Sequence, residues 1–177
     1  KLPEEQRTVL VTAGGVAAGK GYALGNSAAA SVANMAGAVW DTAGEQNSTE
    51  LPWVLKEAAS RGIKPIFAYV DADPTETFSR VVSRAIKTGR MVDADLFADS
   101  YAIGARNFLS FATNYKSNAD FLYISNRGKP EQVQHFPTTA LVERDDVYAA
   151  ARKYIQSQSG AMSPAVLHGA TIGRRIW

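Results

Sequence analysis

The sequence predicts an α/β domain: a mostly parallel central sheet flanked by helices, in three layers. Two observations carry this. Short runs rich in β-branched residues alternate with stretches of helical period along most of the chain, the pattern of strands joined by crossover helices. A glycine-rich turn, Gly14-Gly15-Val16-Ala17-Ala18-Gly19-Lys20, directly follows the first such run and opens a helical stretch. That is where α/β folds place phosphate-binding turns.

Each element has its own local reason. Residues 8–13 (TVLVTA) are long enough for one buried parallel strand. A helix is expected from Gly19 or Lys20, breaking near Gly25-Asn26, with a second helical piece over 28–35. Residues 37–41 (GAVWD) form a second short strand. Residues 51–61 are amphipathic, with Trp53, Val54, Leu55 and Ala58 expected on one side and Gly62 as the stop. Residues 64–70 (KPIFAYV) form a third strand. Asp73-Pro74-Thr75-Glu76 supplies a cap, a proline at the first helical position and an acid in the first turn. That helix runs to about Thr88 and breaks at Gly89-Arg90. Asp93 starts another, through Leu96, Phe97, Tyr101 and Phe111. Residues 119–125 give a fourth strand, 132–136 a fifth and 147–155 a closing helix. The tail, 157–177, reads as loop, with Val166, Leu167, Ile172, Ile176 and Trp177 available to pack back.

Composition narrows the function classes. The chain has 177 residues, 46% hydrophobic and 20% charged. One domain of this length, 1–177, buries roughly 70% of its unfolded surface and needs no covalent staple. There are no cysteines, which excludes thiol nucleophiles, disulfides and cysteine-held metals. Two histidines, His135 and His168, leave little scope for a histidine-rich metal site. Nineteen basic side chains against 17 acidic ones give +2, no global footprint for nucleic acid, so any anion site is local. No run of ~18 apolar residues predicts a membrane span. Residues 1–7 (KLPEEQR) lack the apolar core of a signal peptide. Lys1 in place of Met reads as a domain cut from a longer chain. Absence of cysteine suits a reducing compartment, so the expected location is cytoplasmic, in the producing cell or in a target cell for an effector domain.

The strongest chemical signal is the G-x-x-x-x-G-K turn. Small residues let successive N–H groups curl around an anion. Lys20 then follows charge on the terminal phosphates. The expected nucleotide contacts are Gly14, Gly15, Val16, Ala17, Ala18, Gly19, Lys20, Gly21 and Tyr22. Gly21 stands where a magnesium-binding Ser or Thr is usual, so Mg²⁺ would rest on phosphate oxygens and water.

Asp41 lies 21 residues after Lys20, at the end of a strand. A carboxylate there can take a proton from a substrate hydroxyl or hold a Mg²⁺-bound water. Glu45 and Gln46 follow it as candidate acceptor contacts. Arg80, Arg84, Lys87 and Arg90 fall within eleven residues that contain no acid. Guanidinium forks match phosphate oxygens, so 84–95 reads as a lid closing over a triphosphate. Asp41-Thr42-Ala43-Gly44 also fits the D-x-x-G element of small GTPases. The short spacing from Lys20, the absent hydroxyl at position 21 and the lack of an N-K-x-D motif argue against that. His135, His168, Trp40, Trp53 and Trp177 are expected to be core or pocket wall.

Taken in order, these pieces resemble the zeta-toxin family of P-loop kinases, over roughly residues 8–136. They are VTAGGVAAGKG, Asp41, Arg80-x-x-x-Arg84 with Gly89-Arg90-Met91-Val92, Ser100-Tyr101, Asn107-Phe108, and ADFLYISN ending at Asn126. The resemblance implies an adenylate-kinase-like P-loop kinase fold. It implies ATP and Mg²⁺, with Lys20 on the ATP phosphates, Asp41 as general base, and Arg84 and Arg90 on the moving phosphoryl group. The acceptor would be a sugar hydroxyl of a UDP-N-acetylglucosamine-type nucleotide sugar or of NAD, and an antitoxin or inhibitor protein would be a partner. Gly21-Tyr22 and Asp93, where Pro commonly follows the Gly-Arg-x-Val run, depart from the family pattern. A nucleoside monophosphate kinase is a near alternative, but no Asp-Gly-Phe-Pro-Arg-like element follows the third strand. A degenerate nucleotide-binding module without catalysis is another, which Gly21 favours.

Overall fold

The computed structural model describes residues 8–42, 44 and 47–171. Five strands form one sheet in the order β2-β1-β3-β4-β5. They are β1 (Thr8–Ala13), β2 (Ala38–Asp41), β3 (Lys64–Asp71), β4 (Asp120–Ser125) and β5 (Glu131–Val133). The first four run parallel and β5 is antiparallel to β4. The described helices are α1 (Lys20–Gly25), α2 (Ala30–Met35), α3 (Asn47–Ser60), α4 (Pro74–Thr88), α5 (Ala94–Tyr115), α6 (Arg144–Gln158) and α7 (Pro164–Thr171).

Side-chain alternation along the strands makes the three layers. Leu10, Ala68, Val70 and Ile124 face α1 and α2 in one cluster with Ala23, Leu24 and Ala29. Val11, Ala13, Phe67 and Tyr69 face α3 and α5 with Leu51, Val54, Phe108 and Phe111. A third cluster lies off the sheet and joins α4 and the first half of α5 to α6 and α7, through Phe78, Val82, Phe97, Val147, Ile155 and Val166.

Most elements fall where their local signals put them. Asp73 caps α4 by accepting from the N–H groups of Thr75 (2.8 Å) and Glu76 (3.0 Å), with Pro74 in the first turn. Such a cap is worth about 1 kcal/mol. Gly89 ends the helix in the left-handed region, φ 74.

Several boundaries differ from expectation. Helix α3 starts at Asn47, four residues early. The buried Asn47 side chain ties it in, accepting from Thr42 Oγ1 (2.9 Å) and donating to Gly104 O (3.3 Å). Trp53 does not share the buried side of α3. It is 53% exposed and meets Trp40 edge-on, centroids 5.5 Å apart. The two rings wall a surface cavity of about 330 Å³, so they are pocket wall rather than core. The expected fifth strand is shorter, Glu131–Val133. The tail is not simply loop, because Pro164–Thr171 is helical and Val166 is buried. Ile172, Ile176 and Trp177 lie outside the described residues.

An ion pair with a buried carboxylate closes the sheet's carboxyl edge. Asp71, at the end of β3 and 2% exposed, meets Arg127 through Nε–Oδ2 (2.7 Å) and Nη2–Oδ1 (3.1 Å). Thr139 Oγ1 donates to the same carboxylate at 2.6 Å. The Asp71 partnership holds the Arg127 guanidinium above its ordinary range, so the cation is permanent.

Candidate functional site

The G-x-x-x-x-G-K segment forms a compact turn between β1 and α1. Gly14 has φ 144, and a Cβ there would sit 2.5 Å from Val70 O, so only glycine fits. A Cβ on Gly15 would lie 2.3 Å from the Tyr101 ring. Gly15→Ala is therefore expected to cost about 1–3 kcal/mol through overpacking, read as a lowered thermal midpoint, and to weaken triphosphate binding. Ala17 has φ 60, rare for a residue with a Cβ. Such strain persists only where surroundings impose it.

Here they do. Ala18 N–H donates to Gly15 O (3.1 Å) within the turn. Val16 N–H donates to Ser100 Oγ (3.0 Å), the Tyr101 hydroxyl donates to Val16 O (3.2 Å), and Asn126 Nδ2 donates to Ala18 O (2.8 Å). Burial pushes the Tyr101 phenol well above its ordinary value, so it stays protonated as a donor. The amides of Ala17, Gly19, Lys20 and Gly21 have no acceptor among the described residues. Helix α1 is only six residues long, so the turn's amides and Lys20 carry the positive field more than a helix dipole does.

Strand order decides the next step. β2 is the direct neighbour of β1, with Thr12 in register with Asp41. That puts Asp41 at the mouth of the turn. Thr12 Oγ1 donates to Asp41 Oδ1 (2.7 Å), and Lys20 Nζ stands 3.4 Å from the same oxygen. Lys20 is largely covered and also donates to Gly14 O (3.3 Å), while the Asp41 side chain is 64% exposed. A primary ammonium and an accessible carboxylate thus flank one opening. The ammonium can swing to an anion, and the free edge of the carboxylate can accept a proton from an incoming hydroxyl.

The expected lid spans the end of α4, the Gly89-Arg90 break and the start of α5. Phe78 meets Phe97 (centroids 4.7 Å) and Thr77 Oγ1 lies 2.6 Å from Tyr101 Oη, so long side chains link the two helices, while α6 packs closely against both. From Ser100 beside the turn back to Asp93 at its start, α5 spans about 10 Å. Arg84 and Arg90, with Thr88, line a cavity of about 430 Å³ where α4 ends. Neither arginine makes an ion pair among the described residues. Arg80, the other half of the Arg80-x-x-x-Arg84 pattern, is paired to Glu76 one turn back. The structure brings Lys20 and Asp41 together, and among the described residues Arg84 and Arg90 share no ion pair with Asp41 and line a cavity of their own. Tyr22, 62% exposed, projects to solvent just past the turn. Glu45 and Gln46 lie outside the described residues.

Among the described residues, no group of three or more His, Asp or Glu side chains can hold a metal by itself. Asp41 is the carboxylate at this opening, so a Mg²⁺ ion arriving with a nucleotide would rest on phosphate oxygens, with Asp41 reaching it through water. Around Gly21 there is open space, with nothing within 4 Å of an added Cβ. Gly21→Ser is therefore expected to fold as the parent does and to strengthen Mg²⁺-dependent ATP binding several-fold, about 1 kcal/mol, measured by calorimetry with and without Mg²⁺.

Sequence reasoning did not assign Asp71, Arg127 or Thr139, because a buried pair 56 residues apart leaves no local signal. Among the described residues, no helix is long and apolar enough to cross a membrane. No family model matches the chain, and no curated protein matches it.

Proposed function

We propose that this chain is an ATP-dependent phosphotransferase of P-loop kinase type, resembling the zeta toxins. It moves the γ-phosphate to a sugar hydroxyl of a nucleotide sugar or of NAD. The observation that carries the reading is the juxtaposition of Lys20 Nζ and Asp41 Oδ1, 3.4 Å apart, at the mouth of a strained turn in which the amides of Ala17, Gly19, Lys20 and Gly21 have no acceptor among the described residues.

Phosphoryl transfer asks the protein mainly for positioning and charge stabilisation. The turn's amides bind the phosphate tail, and Lys20 leaves Gly14 O to meet its terminal oxygens. Asp41 orients the acceptor hydroxyl and takes its proton as the new O–P bond forms and the bond from phosphorus to the ADP oxygen breaks. Thr12 fixes the carboxylate's rotation through Oδ1, leaving Oδ2 toward the acceptor. Bound Mg²⁺ supplies neutralisation of the phosphate charge. Arg84 and Arg90, at the end of α4 and in the break after it, supply further cations when that segment bends inward. An inhibitor protein that covers this mouth, as an antitoxin would, belongs to the same reading.

The test follows label from [γ-³²P]ATP to UDP-N-acetylglucosamine and to NAD, with and without Mg²⁺. The expected result is a phosphorylated acceptor with wild type and none with Lys20→Ala. Label that stays in ATP, or passes equally with Lys20→Ala, overturns the reading.

A further inference from the structure

The turn's shape is set by two elements far away in sequence. Val16, near its apex, is gripped on both sides. Ser100 Oγ accepts the Val16 N–H at 3.0 Å, and the Tyr101 hydroxyl donates to Val16 O at 3.2 Å. Ser100 spends its own proton on Phe97 O (2.8 Å), which leaves its lone pairs facing Val16. The Tyr101 ring also fills the space over Gly15. From the other side, Asn126 Nδ2 donates to Ala18 O at 2.8 Å, while its backbone N–H is anchored on Asp71 O at 2.7 Å. All three side chains are more than nine-tenths buried. Between the two grips sits Ala17, at φ 60.

We propose that Ser100, Tyr101 and Asn126 are the positioning residues of this turn: they hold its strained backbone in the phosphate-binding shape before any nucleotide arrives. The inference rests on the phosphate-binding reading above. None of the three need touch the phosphates. Ser100 uses up the Val16 amide, so the tail is bound by the amides of Ala17, Gly19, Lys20 and Gly21. A turn already in shape loses little freedom on binding, so more of the contact energy appears as affinity.

The test is calorimetric titration with inorganic tripolyphosphate and with a non-hydrolysable ATP analogue plus Mg²⁺. It uses wild type, Ser100→Ala, Ser100→Thr and Asn126→Leu, each checked by thermal melting. Wild type should bind both probes. Ser100→Ala and Asn126→Leu should each bind about tenfold more weakly or worse, with the loss in the entropy of binding, while both proteins stay folded at the assay temperature. Ser100→Thr, which keeps the acceptor oxygen, should restore affinity. Equal binding by wild type, Ser100→Ala and Asn126→Leu overturns the proposal. So does tighter binding by Ser100→Ala, which would make Ser100 a competitor for the Val16 amide. Failure of wild type to bind either probe is a different result, because it removes the phosphate-binding reading itself.

Discussion

Asp41→Asn is expected to lower phosphoryl transfer by about 10²–10⁴-fold, the range for losing a positioned general base, with ATP affinity nearly unchanged. The two effects separate because Asp41 and the turn do different work. Asn keeps the size of the side chain and can still accept the Thr12 hydrogen bond at 2.7 Å. It cannot take the acceptor's proton. Lys20 loses one of its two resting partners but keeps Gly14 O, so it remains available to phosphate. Steady-state rates of labelled transfer check the first part, and calorimetry with the ATP analogue checks the second. Full transfer by Asp41→Asn would assign the base elsewhere. Nucleotide binding with no transfer by either protein, on either acceptor, would favour a binding module over an enzyme.

Arg127→Ala is expected to be the most destabilising single change at the carboxyl edge, about 3 kcal/mol. That is the low end for stranding a buried carboxylate, because Arg127 itself still meets water. Asp71 is 2% exposed and would keep only the Thr139 hydroxyl of its side-chain partners. For a chain of this length the thermal midpoint should fall by roughly 10 °C. The loss expected is one of stranded charge rather than of a missing attraction, which a double replacement tests. Asp71→Leu with Arg127→Met should recover most of the stability, since an apolar pair of similar volume avoids the desolvation cost. If Arg127→Ala melts with wild type, the pair is not the staple of this edge. Asp71 O also anchors Asn126, so nucleotide affinity should fall with stability in Arg127→Ala.

The parts legible in the sequence are those with local causes. The cap at Asp73-Pro74 and the stop at Gly89 each depend on a few adjacent residues, and both stand where the sequence puts them. The compact glycine-lysine turn is legible because its glycines, its lysine and the strand before it are contiguous. Asp41 was legible as a residue but not as a neighbour of Lys20, because spacing does not reveal that β2 lies directly beside β1. Ser100 and Asn126 entered only as pieces of a resemblance, and Tyr101 otherwise only as a position on a helix. Their contacts with the turn span 84, 85 and 108 residues and arise from how α5 and β4 are placed. Trp53 misled because the helical period of α3 puts it beside buried positions, yet β2 is an edge strand that leaves its ring in solvent with Trp40.

The most direct measurement is a crystal structure with a non-hydrolysable ATP analogue and Mg²⁺. The account predicts the β- and γ-phosphates within the turn formed by residues 14–20, Lys20 Nζ moved from Gly14 O onto phosphate oxygen, and the Asp41 carboxylate facing the γ-phosphate. An analogue bound instead in the apolar cavity of about 660 Å³ lined by α4, α5 and α6, between Phe78, Phe97 and Tyr154, with the turn unchanged, would contradict it.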